Sequence, residues 1–292
     1  MSLKESELIL NKDKSVYHLN LRPENIADTI LTVGDPSRVH MVSKYFDDIE
    51  FEMNKREFIT HTGRIGNKRI TVMSTGMGTE NIEIVLTELD ALVNIDLKKR
   101  EVKKETRSLN VIRIGTSGAL QEDIPIGSFL ISEYGVGLDN LMVFYNLPQT
   151  DFEKEICDQL KGEIPLPITP YCVKADETLL KMFDKDVFIK GNTITSPGFY
   201  AAQGRALRTQ LAFDGFMDKL VYFHKDNFWL TNFEMETSGY YAMSRLLGHK
   251  AISTNAILAN RIKGEFAKDG QKIVDKLIKC VIEAVVEDNS EE

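Results

Sequence analysis

An arginine interrupts the apolar run Asn-Val-Ile-Arg-Ile at residues 110–114, and Gly-Thr-Ser-Gly follows it at once. A guanidinium inside a domain is costly without a fixed anion beside it. The counter-charge for Arg113 is therefore a carboxylate of the chain or an anionic ligand, unless the strand frays and leaves the arginine at an exposed end. Two further glycine turns follow runs that read as strands, "VGDPSR" (33–38) and "STGMG" (74–78). Gly34 and Asp35 stand just before a helix whose second turn begins near Arg38, so backbone N–H groups and a guanidinium can converge on one anion. Taken singly, each glycine is also a good turn or eases close packing. Together, at the carboxyl ends of neighbouring parallel strands, the three turns can build a phosphate cradle.

A second group lies later. "PGFYAAQGR" (197–205) sets two aromatics before a glutamine and an arginine two residues apart, and "NFEMET" (232–237) sets two carboxylates around a methionine. Gln203 donates and accepts at once and Arg205 is a fixed donor fork, which suits the edge of an amide-bearing ring whose face Phe199 could cover. The plainer reading makes Gln203 and Arg205 polar residues at a helix start, and Glu234 and Glu236 capping or salt-bridging groups.

Composition removes other chemistries. The 292 residues carry a net charge of −8, which argues against general nucleic-acid affinity. Six lysines and arginines do cluster between 98 and 107, but no aromatic residue accompanies them and Glu101 and Glu105 interrupt them, so a solvated loop or helix extension is expected. The cysteines, Cys157, Cys172 and Cys280, are widely spaced and suggest a reducing cytoplasm rather than a disulfide framework. No apolar run approaches a membrane span, and the N-terminus lacks the apolar stretch of a signal peptide. There is no Walker A sequence, no Gly-x-Ser-x-Gly elbow, no dinucleotide fingerprint and no histidine–cysteine cluster, so neither a cofactor nor a metal is expected.

The elements that must carry these groups alternate between strand and helix, the pattern of an α/β sheet. Strands are expected at 29–34, on both sides of a Gly66-Asn67 turn, and in "NVIRI", "GSFLISEYGV", "PITPYCVKA", "DVFIKGNTIT" and "KAISTNAILAN". Helices are expected from Pro36, over "NIEIVLTELDALVN" with its buried stripe Ile82, Val85, Leu86, Leu89, Leu92 and Val93, over "FEMETSGYYAMSRLLG" with Gly248 as C-cap, and over about 269–287. No repeat or linker divides the chain, and one domain over 1–292 is the simplest reading.

In order, "VYHLNL", "GDPSR", "REFITHTG", "STGMG", "RIGTSGALQEDIPIGS", "GFYAAQGR", "FEMET" and "ANR" resemble the nucleoside phosphorylase family, and Phe-Tyr-x-x-Gln-x-Arg resembles its uridine branch. The resemblance implies a single-domain, three-layer α/β fold with a mixed, partly barrel-like central sheet. It also implies a homo-oligomer, a dimer or a trimer of dimers, with shared active sites. Position by position it implies a phosphate held by Gly34, Arg38, Arg113 and Thr116, with Arg56 arriving from a neighbour. Ribose would meet Glu234, Met235 and Glu236, with His18 of the adjacent copy at the 5′-hydroxyl. Uracil would lie by Phe199, Gln203 and Arg205, with Ile257 and Leu258 lining the pocket. The implied reaction is phosphorolysis of uridine to uracil and ribose 1-phosphate, with inorganic phosphate as co-substrate and Arg38, Arg113 and Arg205 carrying the catalysis. Some relatives bind a monovalent cation near the positions of Glu57, Met77 and Asn81; the asparagine stands where a serine is usual, and no ion is expected here. The purine-cleaving members are the nearest rivals, but their acid is replaced by Asn260-Arg261; hydrolytic nucleosidases of this fold generally lack the arginine set. A nucleoside-binding protein without turnover is the alternative of a different class.

Overall fold

The computed structural model describes residues 2–164 and 166–288. Strand β1 (Thr29–Val33) leads through Gly34 into helix α1 (Ser37–Ser43). The antiparallel run β2 (Asp48–Lys55), β3 (Phe58–Ile65) and β4 (Lys68–Ser74) then returns so that β4 lies parallel to β1. Helix α2 (Thr79–Asn94) follows, and β5 (Ile95–Asp96) pairs with β6 (Glu101–Val102). The charged segment after 97 is thus turn and loop around a two-residue hairpin, the loop of the two expectations and not the helix extension. Its reason is local: Lys103 turns back to donate through N to Asn94 O at 2.8 Å and through Nζ to Val93 O at 2.8 Å, satisfying carbonyls that the end of α2 leaves open.

The chain continues with β7 (Asn110–Ala119), β8 (Phe129–Gly137), α3 (Asp151–Glu163), β9 (Tyr171–Lys174), α4 (Glu177–Met182) and β10 (Phe188–Thr195). After an excursion come α5 (Phe216–Tyr222), β11 (His224–Lys225), β12 (Phe228–Glu234), α6 (Thr237–Leu247), β13 (Lys250–Asn260), β14 (Glu265–Phe266) and α7 (Gly270–Glu287). Twelve strands form one mixed sheet in the order β11-β12-β10-β8-β13-β7-β1-β4-β3-β2, with β9 on β8 and β14 on β13. Because β12 also pairs antiparallel with β7, through Asn232 opposite Ala119 and Phe233 opposite Gly118, the strands β7, β13, β8, β10 and β12 close into a ring. The expected partly barrel-like mixed sheet is this ring plus the open flank β1-β4-β3-β2.

Helix α7 buries Val274, Leu277, Ile278, Val281, Ile282 and Val285, a three-and-four spacing, against β7 and β13. Helix α6 starts at Thr237 and not at Phe233, because Phe233 and Glu234 finish β12 and the Glu234 carboxylate accepts the amides of Glu236 and Thr237 at 2.9 and 3.0 Å. Gly248 closes α6 in the left-handed conformation at φ 76°, as its position suggested. Gly135 lets that helix dock, since a Cβ there would stand 3.0 Å from the Ser238 backbone. Among the described residues no helix is long and apolar enough to cross a membrane.

Helix α3 opens on a capping box, Thr150 with Glu153, and the fully buried Glu153 carboxylate also accepts the Lys174 amide at 2.7 Å and two Arg245 donors at 2.8 Å. Burial opposes its ionisation, but Arg245 and the Thr150 and Lys174 amides hold the carboxyl below its ordinary value. Its stabilising effect is present above pH 4.5 and is lost as pH falls below that. Arg245→Ala should cost about 3–5 kcal/mol in urea unfolding at pH 7, and the penalty should shrink on acidification, as protonation removes the unpaired charge. A penalty independent of pH would show that packing, not charge, sets the effect.

Candidate functional site

The turns after β1 and β4 meet. A Cβ at Gly34 would stand 3.4 Å from Gly76 O, and β1 runs beside β7 with Thr32 opposite Arg113. Arg113 is 6 % exposed, so the strand does not fray. Its guanidinium folds over Gly115, where a Cβ would lie 1.8 Å from Nη1; the Arg-x-Gly spacing is what gives the side chain its bed. Nη1 donates to Ser253 Oγ at 3.2 Å and Asn255 Oδ1 at 2.9 Å on β13. Nη2 donates to Glu236 Oε2 at 2.7 Å and stands 2.8 Å from Glu234 Oε2. Of the readings open in the sequence, a buried pair within the chain is the one observed, and it is with two carboxylates.

Burial would lower the Arg113 pKa, but Glu234 and Glu236 overcome it and hold the guanidinium charged. Glu234 is buried, and burial together with the Glu236 charge holds its carboxyl above the ordinary value against the pull of Arg113 and the Glu236 and Thr237 amides. Its Oε1 also accepts from Thr195 Oγ1 at 2.9 Å. Glu236 bridges the site, with Oε2 on Arg113 and Oε1 on the Gly78 amide at 2.9 Å. Met235 between them is partly exposed.

Arg38 differs. It is half-buried in the first turn of α1, and among the described residues its side chain has no hydrogen bond or ion pair. Its neighbour Asp35 is occupied by Ser37, which donates through N and Oγ at 2.9 Å each. Burial and the nearby Arg113 charge lower the Arg38 pKa against the pull of Asp35 and Glu236. Beside an arginine held by two carboxylates thus stands one with no hydrogen bond or ion pair among the described residues. Thr116, partly exposed on β7, likewise has a hydroxyl with no partner among the described residues.

The second group assembles beyond β10. Gln203 is buried and accepts from Arg205 Nη1 at 2.6 Å, and the Arg205 guanidinium lies 4.0 Å from the centre of the Phe199 ring. Phe199 and Tyr200 are about half exposed. Arg261 donates to Gln203 O at 3.0 Å, and Arg205 and Arg261 both face the Phe233 ring, at 5.7 and 5.5 Å. Burial and Arg261 depress the Arg205 pKa. Phe233 is followed directly by Glu234, so one strand end joins the two groups.

Four other candidates make no hydrogen bond or ion pair with these groups among the described residues. His18 and Arg56 gather around Tyr17, with the Arg56 guanidinium 5.7 Å from the Tyr17 ring and the Tyr17 and His18 rings 4.8 Å apart. Ile257 packs with Ala119, Ile124 and Leu130, and Leu258 lies by Gly270, so the structure does not place either with Gln203 and Arg205. Residues that sequence reasoning missed are Ser253 and Asn255; Gly115, expected in a turn, lies within the unbroken strand β7, and Arg261, noted only as standing in an acid's place, turns onto Gln203. A polar Ser-Thr-Asn in the middle of a buried strand was the available signal for the first two.

A profile of the phosphorylase superfamily matches residues 28–287. A uridine phosphorylase of Thermococcus kodakarensis is 29 % identical over 88 % of this chain and 81 % of its own, and one of Haemophilus influenzae is 26 % identical over 92 % and 96 %. A DeoD-type purine nucleoside phosphorylase of Bacillus cytotoxicus is 24 % identical over 92 % and 98 %. In the crystal structure of a Trypanosoma brucei nucleoside phosphorylase, described as showing uridine phosphorylase activity, the fold superposes with a TM-score of 0.87 at 28 % identity, over 96 % of this chain and all of that one. With the glycine turns, the buried arginine and the carboxylate pair set on a sheet of that architecture, and the profile match spanning nearly the whole length, the chain belongs to the phosphorylase superfamily.

Proposed function

We propose that the protein cleaves uridine with inorganic phosphate, releasing uracil and ribose 1-phosphate. The observation that carries this reading is Arg38: a half-buried guanidinium with no hydrogen bond or ion pair among the described residues, beside one already held by two carboxylates. Such a cation calls for a small anion at the Gly34 turn, to which Thr116 would add a hydroxyl that has no partner among the described residues. Arg113 then acts through its charge and by fixing Glu234 and Glu236. Glu236 stands at the join between the anion turns and β12, where ribose hydroxyls can reach its remaining lone pairs, with Met235 against the sugar. Phe199, Gln203 and Arg205 take the pyrimidine, and Arg261 adds a second cation beside them.

In this arrangement the C1′–N1 bond breaks as C1′ bonds to a phosphate oxygen. The bonding pair leaves on uracil N1, which is then protonated. Positive charge grows on the sugar ring beside the phosphate, and negative charge grows on the base beside Gln203 and Arg205, so both groups bind the transition state more tightly than the substrate. The named activities of the Thermococcus, Haemophilus and Trypanosoma proteins favour a uridine substrate. We place the working enzyme in a homo-oligomer, a dimer or a trimer of dimers, in the cytoplasm. Arg56 and His18 gather around Tyr17 with no hydrogen bond or ion pair to Arg38 among the described residues, and Met77, beside the glycine turn, is 74 % exposed, an apolar side chain that a second copy would cover.

Three outcomes test this. Uracil release from uridine should require phosphate; release without phosphate, or faster turnover of inosine, overturns the assignment. Arg38→Ala should lower kcat/KM for phosphate by about tenfold or more at little cost in stability, whereas Arg113→Ala should also cost about 3–5 kcal/mol in unfolding because it strands two buried carboxylates. Unchanged phosphate saturation in Arg38→Ala would remove the anion from that turn. Finally, Arg38→Ala and Arg56→Ala variants, unfolded together and refolded as a mixture, should recover activity in up to about a quarter of the sites, since mixed dimers rebuild one intact site from two defective chains. No recovery would place Arg56 outside a shared site.

A further inference from the structure

The segment "VYHLNL" (16–21) belongs to no helix or strand, yet Val16, Leu19 and Leu21 are fully buried and His18 is held at several points. The polar contacts that hold His18 come from one side chain of α2. Glu88 Oε1 accepts the His18 amide at 2.9 Å and Oε2 the Leu19 amide at 2.8 Å. The same Oε1 stands 2.7 Å from His18 Nδ1. Fixing two backbone amides is an ordinary loop-anchoring task. The ring contact is additional and has a chemical consequence. A carboxylate only accepts, so Nδ1 must carry hydrogen, and in the neutral ring the lone pair then sits on Nε2. Tyr17 packs edge-on against the imidazole, and Nε2 has no hydrogen-bond partner among the described residues. The His18 side chain remains 29 % exposed against 14 % for Glu88, so the clamp is inside and the ring is presented outward.

We propose that Glu88 is a positioning residue that locks His18 as the Nδ1–H tautomer, so that Nε2 accepts a hydrogen bond from the primary 5′-hydroxyl of a nucleoside in the neighbouring copy's site. The inference rests on the shared nucleoside site proposed above. Its chemistry is specific: one carboxylate sets both where the imidazole stands and which of its nitrogens is basic, as carboxylates do for metal-bound histidines. The contribution of Glu88 therefore exists only for a substrate that carries the hydroxyl.

The test compares uridine with 5′-deoxyuridine, which lacks that hydroxyl, in the wild type, Glu88→Gln, His18→Ala and the double variant. The wild type should prefer uridine by about tenfold or more in kcat/KM, since a site built to bond a hydroxyl rejects the analogue without it. Glu88→Gln should lower kcat/KM for uridine by about tenfold while changing that for 5′-deoxyuridine by no more than about twofold, and the double variant should lose no more than His18→Ala. Equal losses on both substrates would reduce Glu88 to a loop anchor and overturn the proposal, as would a wild type indifferent to the hydroxyl. Should Glu88→Gln not fold, His18→Ala alone still decides whether the ring reads the hydroxyl. If the wild type cleaves inosine and not uridine, the pyrimidine reading fails, and the same comparison with 5′-deoxyinosine judges Glu88 by itself.

Discussion

The buried contact between Arg113 and the two carboxylates Glu234 and Glu236 is the constraint around which the site is built. Three charges enclosed together are stable only if geometry is good and every remaining donor and acceptor is used. That condition reaches across the fold: Thr195 from β10, Ser253 and Asn255 from β13, the Gly78 amide before α2 and the first amides of α6 all serve it. Elements distant in sequence are thereby brought to one point, and the cost of disturbing any of them is felt at the others.

The ring of strands has a correspondingly polar interior. Asn255 Nδ2 donates to Ser132 Oγ at 3.2 Å, Ser132 shares a 2.6 Å bond with Thr193, Thr193 Oγ1 donates to Asn232 Oδ1, and Asn232 Nδ2 donates to Ser117 Oγ at 2.9 Å. This chain starts at the Arg113 partner Asn255 and ends on the strand that bears Arg113. A satisfied network of this kind rigidifies and admits few alternative packings, which suits a framework that must hold charges at fixed separations. The hydrophobic core lies mainly outside the ring, between the sheet and helices such as α2, α6 and α7.

What could be read in the sequence, and what could not, divides along physical lines. The helix stripe at Ile82–Val93, the Gly248 cap and the principal strands were legible because period and turn chemistry are local. Helix α3 escaped although its Thr150–Glu153 capping box was visible, and the start of α6 was misjudged because a strand-end carboxylate, not a residue type at the N-cap, terminates the helix. Arg113 posed the right question, but its partners stand 121 and 123 residues away, a separation that no spacing rule spans. Arg261 lay in plain view as the residue occupying an acid's place; that its guanidinium turns back onto Gln203 needed the topology.

The excursion between β10 and β12 has a meaning of its own. These two strands are parallel neighbours in the ring, yet residues 196–227 intervene, and they carry Phe199, Gln203 and Arg205. The Arg113–carboxylate group hangs on the ring strands β7 and β12 and the residue just after β12, while Phe199, Gln203 and Arg205, proposed above for the heterocycle, hang on this long connection. A chain organised in this way can exchange one nucleobase preference for another by altering the connection's length and sequence, with the charged centre left as it is. Divergence of specificity is then expected to concentrate in this insertion, and conservation in the staves of the barrel.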